Sequence, residues 1–193
     1  VSITTPRYSV CALSSVGSIS CWGESYTISS PDGIPVNGSV SLSLDTGRYA
    51  VSIDGTNSHT CAILDNSSIS CWGINTYGQL GNGECSSVIP SSGCTGSNSN
   101  SPQYVDFSAI NSSENMIAVS SGTESTCSIS DVYYIYCWGN QDGEFDNTTS
   151  PLISPYPMNF NNGSEISFSD QDMDGDGISN LLDVHMVGDD DGD

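Results

Sequence analysis

Lysine is absent from this 193-residue chain, arginine occurs only at Arg7 and Arg48, and 23 acidic residues bring the formal net charge to −21. With almost nothing available to neutralise phosphates, a nucleic-acid surface is excluded. Histidine is equally scarce. His59 and His185 stand apart from any Ser, Cys or Asp at a telling spacing, so no nucleophile and base can be paired, and the chain is not expected to be an enzyme. No apolar run is long enough for a membrane-spanning helix, and no signal peptide is legible; the chain opens at Val1 without methionine, as a processed or excerpted product would. Aromatic residues make up 8% and hydrophobic residues 36%, a thin core in which covalent staples are useful.

What the chain does have is a repeated cysteine pattern. Cysteine, nine residues, cysteine and Trp-Gly occurs three times: Cys11 to Cys21 with Trp22-Gly23, Cys61 to Cys71 with Trp72-Gly73, and Cys127 to Cys137 with Trp138-Gly139. Such recurrence means an array of one supersecondary unit. If Cys11 faces Cys21 in an antiparallel pair, Ala12 faces Ser20, Leu13 faces Ile19 and Ser14 faces Ser18, leaving Ser15-Val16-Gly17 as a three-residue turn. The same register sets Ile63 opposite Ile69 around Asp65-Asn66-Ser67, and Ile129 opposite Ile135 around Asp131-Val132-Tyr133. Each hairpin then brings two cysteines within disulfide reach. Bridges Cys11–Cys21, Cys61–Cys71 and Cys127–Cys137 are expected, each contributing roughly 2–3 kcal/mol by restricting the unfolded chain. Nine-residue spacing without a recurring histidine does not suit zinc. Cys85–Cys94 makes a fourth bridge, and an even count of eight implies an oxidising compartment, hence an extracellular or cell-surface protein.

Alternation of apolar and polar residues extends the units. Before the second hairpin, Val40 to Leu44 and Tyr49 to Ile53 read as two leading strands; before the third, Tyr104 to Phe107 and Met116 to Val119 do the same. Ala50-Val51-Ser52 aligns with Ala118-Val119-Ser120 when two single residues are dropped. The resulting division is an all-β repeat domain at 1–168, with units near 1–39, 40–103 and 104–168, and an acidic tail at 169–193. The first unit lacks leading strands. Met158 to Phe160 and Glu165 to Phe168 read as the leading strands of a fourth, so the chain looks circularly offset, completed within one molecule or between neighbours.

The residues His59-Thr-Cys-Ala-Ile63 and Ile69-Ser-Cys-Trp-Gly-Ile-Asn-Thr-Tyr-Gly-Gln-Leu-Gly81 resemble the repeat of the regulator of chromosome condensation family in a cysteine-bearing form, over roughly residues 5 to 160. The third copy keeps Trp138-Gly139 and Gly143, and the first stops at Trp22-Gly23. The resemblance implies a β-propeller that serves as a binding scaffold. Propellers close with about four to eight blades. Three units therefore either close as a compact pseudo-threefold domain or leave an open ring.

A second resemblance lies in the tail. Asp172, Asp174 and Asp176, Gly177, the carbonyl of Ile178, Asn180 and Asp183 fit a twelve-position loop similar to those of thrombospondin type 3 and dockerin modules. Alternating Asp residues around a tight Gly turn point several hard oxygens at one centre, which suits Ca2+. Asp189, Asp191 and Asp193 repeat its opening as a second site. Sequons stand at Asn37, Asn66, Asn111, Asn147 and Asn162. His59 reads as a strand residue and His185 as a surface one, and the three recurring tryptophans read as core packing or turn anchors.

Two functions follow as expectations. The first is a calcium-stabilised, glycosylated structural module whose partner is another copy, joined head to tail into a filament or stalk. The second is a propeller-like binding or adhesion module that recognises a protein or glycan through its loops, especially that between Cys85 and Cys94.

Overall fold

In the computed structural model, residues 1–6, 9–23, 36–84, 87–89, 93–95, 97–110, 113–140 and 152–158 are described. Their regular elements are strands: β1 (Ser2–Thr4), β2 (Ser9–Leu13), β3 (Ile19–Gly23), β4 (Val36–Leu42), β5 (Ala50–Gly55), β6 (His59–Leu64), β7 (Ile69–Gly73), β8 (Ser87–Ile89), β9 (Gly93–Thr95), β10 (Ser99–Tyr104), β11 (Met116–Ser121), β12 (Ser125–Ser130), β13 (Ile135–Gly139) and β14 (Leu152–Pro157). They form three four-stranded antiparallel sheets, ordered β1-β2-β3-β4, β5-β6-β7-β10 and β11-β12-β13-β14, with β8-β9 as a small ribbon. We call the sheets blades 1 to 3. Among the described residues no helix is long and apolar enough to cross a membrane.

The expected hairpin register is the observed one. Cys11 faces Cys21 with Leu13 opposite Ile19, Cys61 faces Cys71 with Ile63 opposite Ile69, and Cys127 faces Cys137 with Ile129 opposite Ile135. All three bridges form across Cα separations of 4.1 Å. Each turn closes through a left-handed third residue, Gly17 at φ 79°, Ser67 at 65° and Tyr133 at 66°. Cys85 lies outside the described residues; Cys94 pairs with Val88 in the β8-β9 ribbon.

The assignment of flanking strands to units is corrected. β4 pairs back onto β3, and β10 back onto β7, so the first of the two stretches taken to lead each of these hairpins finishes the blade before it, while the second leads as expected, β5 on β6 and β11 on β12. Alternation identifies a strand without naming its partner, and the free edge of the hairpin just completed is the nearer one. Blade 1 is therefore complete, because β1 supplies its leading strand. Blade 3 is complete too, with β14 on β13. The circular offset falls away, and the first unit boundary moves from 39 to beyond Leu42. The internal alignment also shifts: Ala50 pairs with Leu64 as Met116 pairs with Ser130, so Ala50 is equivalent to Met116 with no residue dropped. Residues 159–168 lie outside the described residues.

Blades stack face to face. Cys11, Leu13, Ile19, Cys21 and Leu42 of blade 1 pack against Ala62, Leu64 and Trp72 of blade 2. One step on, Cys61, Ile63, Ile69 and Cys71 of blade 2 pack against Met116, Tyr136 and Trp138 of blade 3. Each blade thus covers its predecessor's disulfide with its own tryptophan. Trp72 and Trp138 are fully buried, whereas Trp22 is 38% exposed, because among the described residues no sheet precedes blade 1. The leading strands line the inner side and bond across blades: Thr4 Oγ1 to Gly55 O at 2.9 Å, Thr56 Oγ1 to Gly122 O at 2.5 Å, and Ser121 N to Asp54 Oδ2 at 2.6 Å.

The glycines after Trp72 and Trp138 have a steric cause. Gly73 sits at φ 120°, and a Cβ there would lie 2.6 Å from Ser58 O and 2.7 Å from His59 Cα. Substitution must displace the adjoining strand. Gly73→Ala is expected to lose about 2–3 kcal/mol in urea unfolding, combining left-handed strain with overpacking. A loss below about 1 kcal/mol would show that this backbone approach is unimportant.

Candidate binding face

The three hairpin turns lie along one edge of the stack, the first two each tied to the next leading strand. Ala50 N donates to Gly17 O at 2.9 Å, and Met116 N donates to Ser67 O at 3.4 Å. The first turn residue of the second and third hairpins is aspartate, and its side chain repeats one job. Asp65 Oδ1 accepts from Tyr49 N at 3.2 Å while Arg48 Nη1 reaches Asp65 Oδ2 at 3.0 Å. Asp131 Oδ1 accepts from Asn115 N at 3.1 Å, and its Oδ2 accepts from Asn115 Nδ2 at 2.8 Å. Both carboxyls are acidified. For Asp65, desolvation acts upward and is outweighed by the Tyr49 N–H and the Arg48 guanidinium; for Asp131, the Asn115 amide side chain is the main cause. The edge is a built surface.

That edge carries apolar side chains turned to solvent. Val51 and Ile117 occupy equivalent positions, each the extra residue of a bulge in its leading strand, and are 54% and 52% exposed. A bulge breaks the two-residue alternation, so an aliphatic residue next to a core one is turned outward. Tyr49 beside Val51, Tyr104 at the end of β10, and the turn residues Val16 and Val132 are exposed as well. Val1, Ser14–Gly17 and Tyr49–Val51 line an open groove of about 460 Å³. Burial and the neighbouring Asp45 raise the Tyr104 phenol above its ordinary pKa, keeping it neutral. The sequence reading missed Val51 and Ile117. Their only signal was an aliphatic residue adjoining Ala50 and Met116, which strand alternation alone assigns to the opposite face.

The opposite edge is polar and internal. In the loop after Trp72-Gly73, Asn75 Oδ1 accepts from Leu80 N at 3.0 Å and Gln79 Oε1 from Tyr77 N at 2.8 Å, which fixes a tight turn. Gln79 O then accepts from both Trp138 Nε1 and Thr126 Oγ1 at 2.9 Å. His59 lies beside this point, with Nε2 2.6 Å from Thr126 Oγ1 and Nδ1 3.1 Å from Ser58 Oγ. Both hydroxyls donate onward to carbonyls, Thr126 to Gln79 O and Ser58 to Thr123 O. Complete burial pushes the imidazole pKa down to about 3, keeping the ring neutral. The equivalent donors one blade earlier, Trp72 Nε1 and Thr60 Oγ1, are buried and have no hydrogen-bond partner among the described residues. These residues hold blades together and offer no open reaction site.

Of the remaining expected sites, Asn66 is exposed in its turn, its Oδ1 accepting from Ser68 Oγ at 2.7 Å, and Asn37 lies on β4. Asn111, Asn147, Asn162 and the whole calcium-loop stretch, Asp172 to Asp183 and Asp189 to Asp193, lie outside the described residues.

Comparison with known proteins agrees with this geometry. Residues 50–79 match one model described as Regulator of chromosome condensation (RCC1) repeat, and residues 69–129 match a second of the same description. No curated protein sequence matches. Among solved structures, human WBSCR16 aligns at TM-score 0.66 and 15% identity over 81% of this chain and 37% of its own. Prp20p of Saccharomyces cerevisiae, whose structure is described with its binding to Gsp1p and histones, aligns at TM-score 0.66 and 14% identity over 82% of this chain and 38% of its own. Yeast RCC1 (Prp20) bound to Kap60 aligns at TM-score 0.64 and 15% identity, over 82% and 36%. At such identity the likeness concerns fold: repeats of this type, arranged as in a propeller. The chain spans less than half the length of these structures.

Proposed function

We propose that this chain is a protein-binding module that engages its partner through the hairpin-turn edge. The observation that carries the reading is the repeated outward aliphatic, Val51 and Ile117, flanked by exposed Tyr49, Tyr104, Val16 and Val132 on a hydrogen-bonded frame. Exposed apolar side chains gathered on one rigid edge mark interaction surfaces, and tyrosine suits them because it joins apolar area to a polar tip. That Prp20p binds Gsp1p and histones, and that yeast RCC1 is found with Kap60, agrees with a scaffold of this fold working by protein contact.

The disulfides favour an oxidising compartment for the reading. Ca2+ on Asp172, Asp174, Asp176, Ile178, Asn180 and Asp183 belongs to the same proposal, as a clamp on an acidic tail that would otherwise repel itself. Glycans on the sequons, and the absence of catalysis, belong to it also. The test compares the chain with a Val51→Asp/Ile117→Asp double variant as affinity baits in the source organism's extracellular fraction. A partner held by the first and lost by the second, with circular dichroism unchanged, is expected. Equal retention by both baits would overturn the assignment of this edge. Dissolution of assemblies by EDTA, with no partner recovered, would favour the structural reading instead.

A further inference from the structure

The second hairpin turn departs from its two neighbours at one residue. Its middle position is Asn66, where the other turns carry the exposed valines Val16 and Val132. Left-handed geometry does not demand the change, because that conformation falls on the following residue, Ser67. Part of the cause is local. Ser14 Oγ and Ser130 Oγ accept the closing N–H groups of Ser18 and Tyr134 at 3.0 and 3.2 Å, whereas the equivalent residue of the second turn is Leu64, whose side chain offers no acceptor. Asn66 Oδ1 does this work instead, accepting from Ser68 N at 3.3 Å and from Ser68 Oγ at 2.7 Å. Only the oxygen is used. The amide nitrogen Nδ2 belongs to an exposed side chain and has no hydrogen-bond partner among the described residues.

Asn66-Ser67-Ser68 is one of the sequons, and its turn stands where the two halves of the hairpin-turn edge meet. On one side Asp65 N donates to Tyr49 O at 2.9 Å; on the other, Met116 N donates to Ser67 O at 3.4 Å, next to Ile117. We infer that Asn66 carries an N-linked glycan that shields this edge, so that occupancy of the sequon sets whether the edge can receive its partner, the second half of which rests on the function proposed for the edge. In the transfer, Nδ2 loses a proton and bonds to the anomeric carbon of a lipid-pyrophosphate-linked oligosaccharide, and the pyrophosphate leaves with the electron pair of the broken C–O bond. Oδ1 is left in place, so the turn keeps its acceptor. A glycan is bulky and hydrophilic. Rooted between Tyr49 and Ile117, it covers the apolar side chains that otherwise mark an interaction surface.

Hydroxyl-radical footprinting of the intact, oxidised chain secreted by a glycosylating eukaryotic cell tests it, beside Ser68→Ala, which deletes this sequon and keeps Asn66. Mass spectrometry after enzymatic deglycosylation in heavy-oxygen water reads the occupancy. The expected result is a glycan on Asn66 of the parent and none there in Ser68→Ala. Labelling of Tyr49 and Ile117 should be lower in the parent by about twofold or more, with labelling of Ile3 on β1 the same in both. Ser68→Thr, which keeps the sequon, should match the parent, and Asn66→Gln should match Ser68→Ala. An empty Asn66, or an occupied one with equal labelling of Tyr49 and Ile117 in the two chains, would overturn the inference. Neither result touches the edge itself, which is tested with baits stripped of glycans and fails only if those retain nothing that depends on Val51 and Ile117.

Discussion

Trp138→Ala is expected to lower the unfolding free energy by about 3–5 kcal/mol, the range for deleting a fully buried aromatic side chain. Trp138 is 0% exposed, its ring meets Phe107 edge-on at 6.1 Å, and its Nε1 donates to Gln79 O at 2.9 Å. Removing it opens a cavity between blades 2 and 3 and takes one of two donors from a buried carbonyl. The same change at Trp22 should fall within about 1 kcal/mol, because that ring is 38% exposed and covers no blade among the described residues. Urea unfolding of both variants under oxidising conditions decides the matter. Equal losses would contradict the stacking polarity, in which Trp72 and Trp138 each cover the blade before their own.

Acid should destabilise the fold through His59. Burial holds its folded pKa at about 3 against the ordinary imidazole value of 6.5. Below pH 6.5 the unfolded chain takes up a proton that the folded chain refuses, so stability falls as pH drops from about 6.5 towards 3. The slope approaches ~1.4 kcal/mol per pH unit and the whole window amounts to roughly 5 kcal/mol. Protonation of carboxylates would relieve the self-repulsion of an acidic chain, an effect of opposite sign. His59→Gln keeps a donor near Thr126 and removes the titration. Its stability should therefore stay nearly level between pH 6.5 and 4.5, where the depressed Asp65 and Asp131 carboxyls do not yet titrate. A parent chain equally level over that window would show that His59 is hydrated or paired in the folded state.

The hairpins were legible because their determinants are local. Two cysteines ten residues apart, an aliphatic pair two rungs nearer the turn, and three residues between fix one register, and the three turns obey it. The partner of each following strand was not legible. β4 and β10 alternate equally well as the start of one blade or the end of another, and only the free backbone edge they meet decides. The binding edge was hidden for a related reason. Val51 and Ile117 face solvent because bulges in β5 and β11 turn them out of the alternation, and the bulge exists only in the pairing. His59 looked like an ordinary strand residue; its buried ring meets Thr126, 67 positions away.

By itself the sequence determined a disulfide-stapled array of antiparallel hairpins, with each Trp-Gly placed at the end of a strand, because such features depend on contacts within a dozen residues. The tertiary structure alone decided which way each sheet faces, which tryptophans are covered and which one is not. Those outcomes depend on what the neighbouring blade presents, and no spacing along one chain encodes a neighbour.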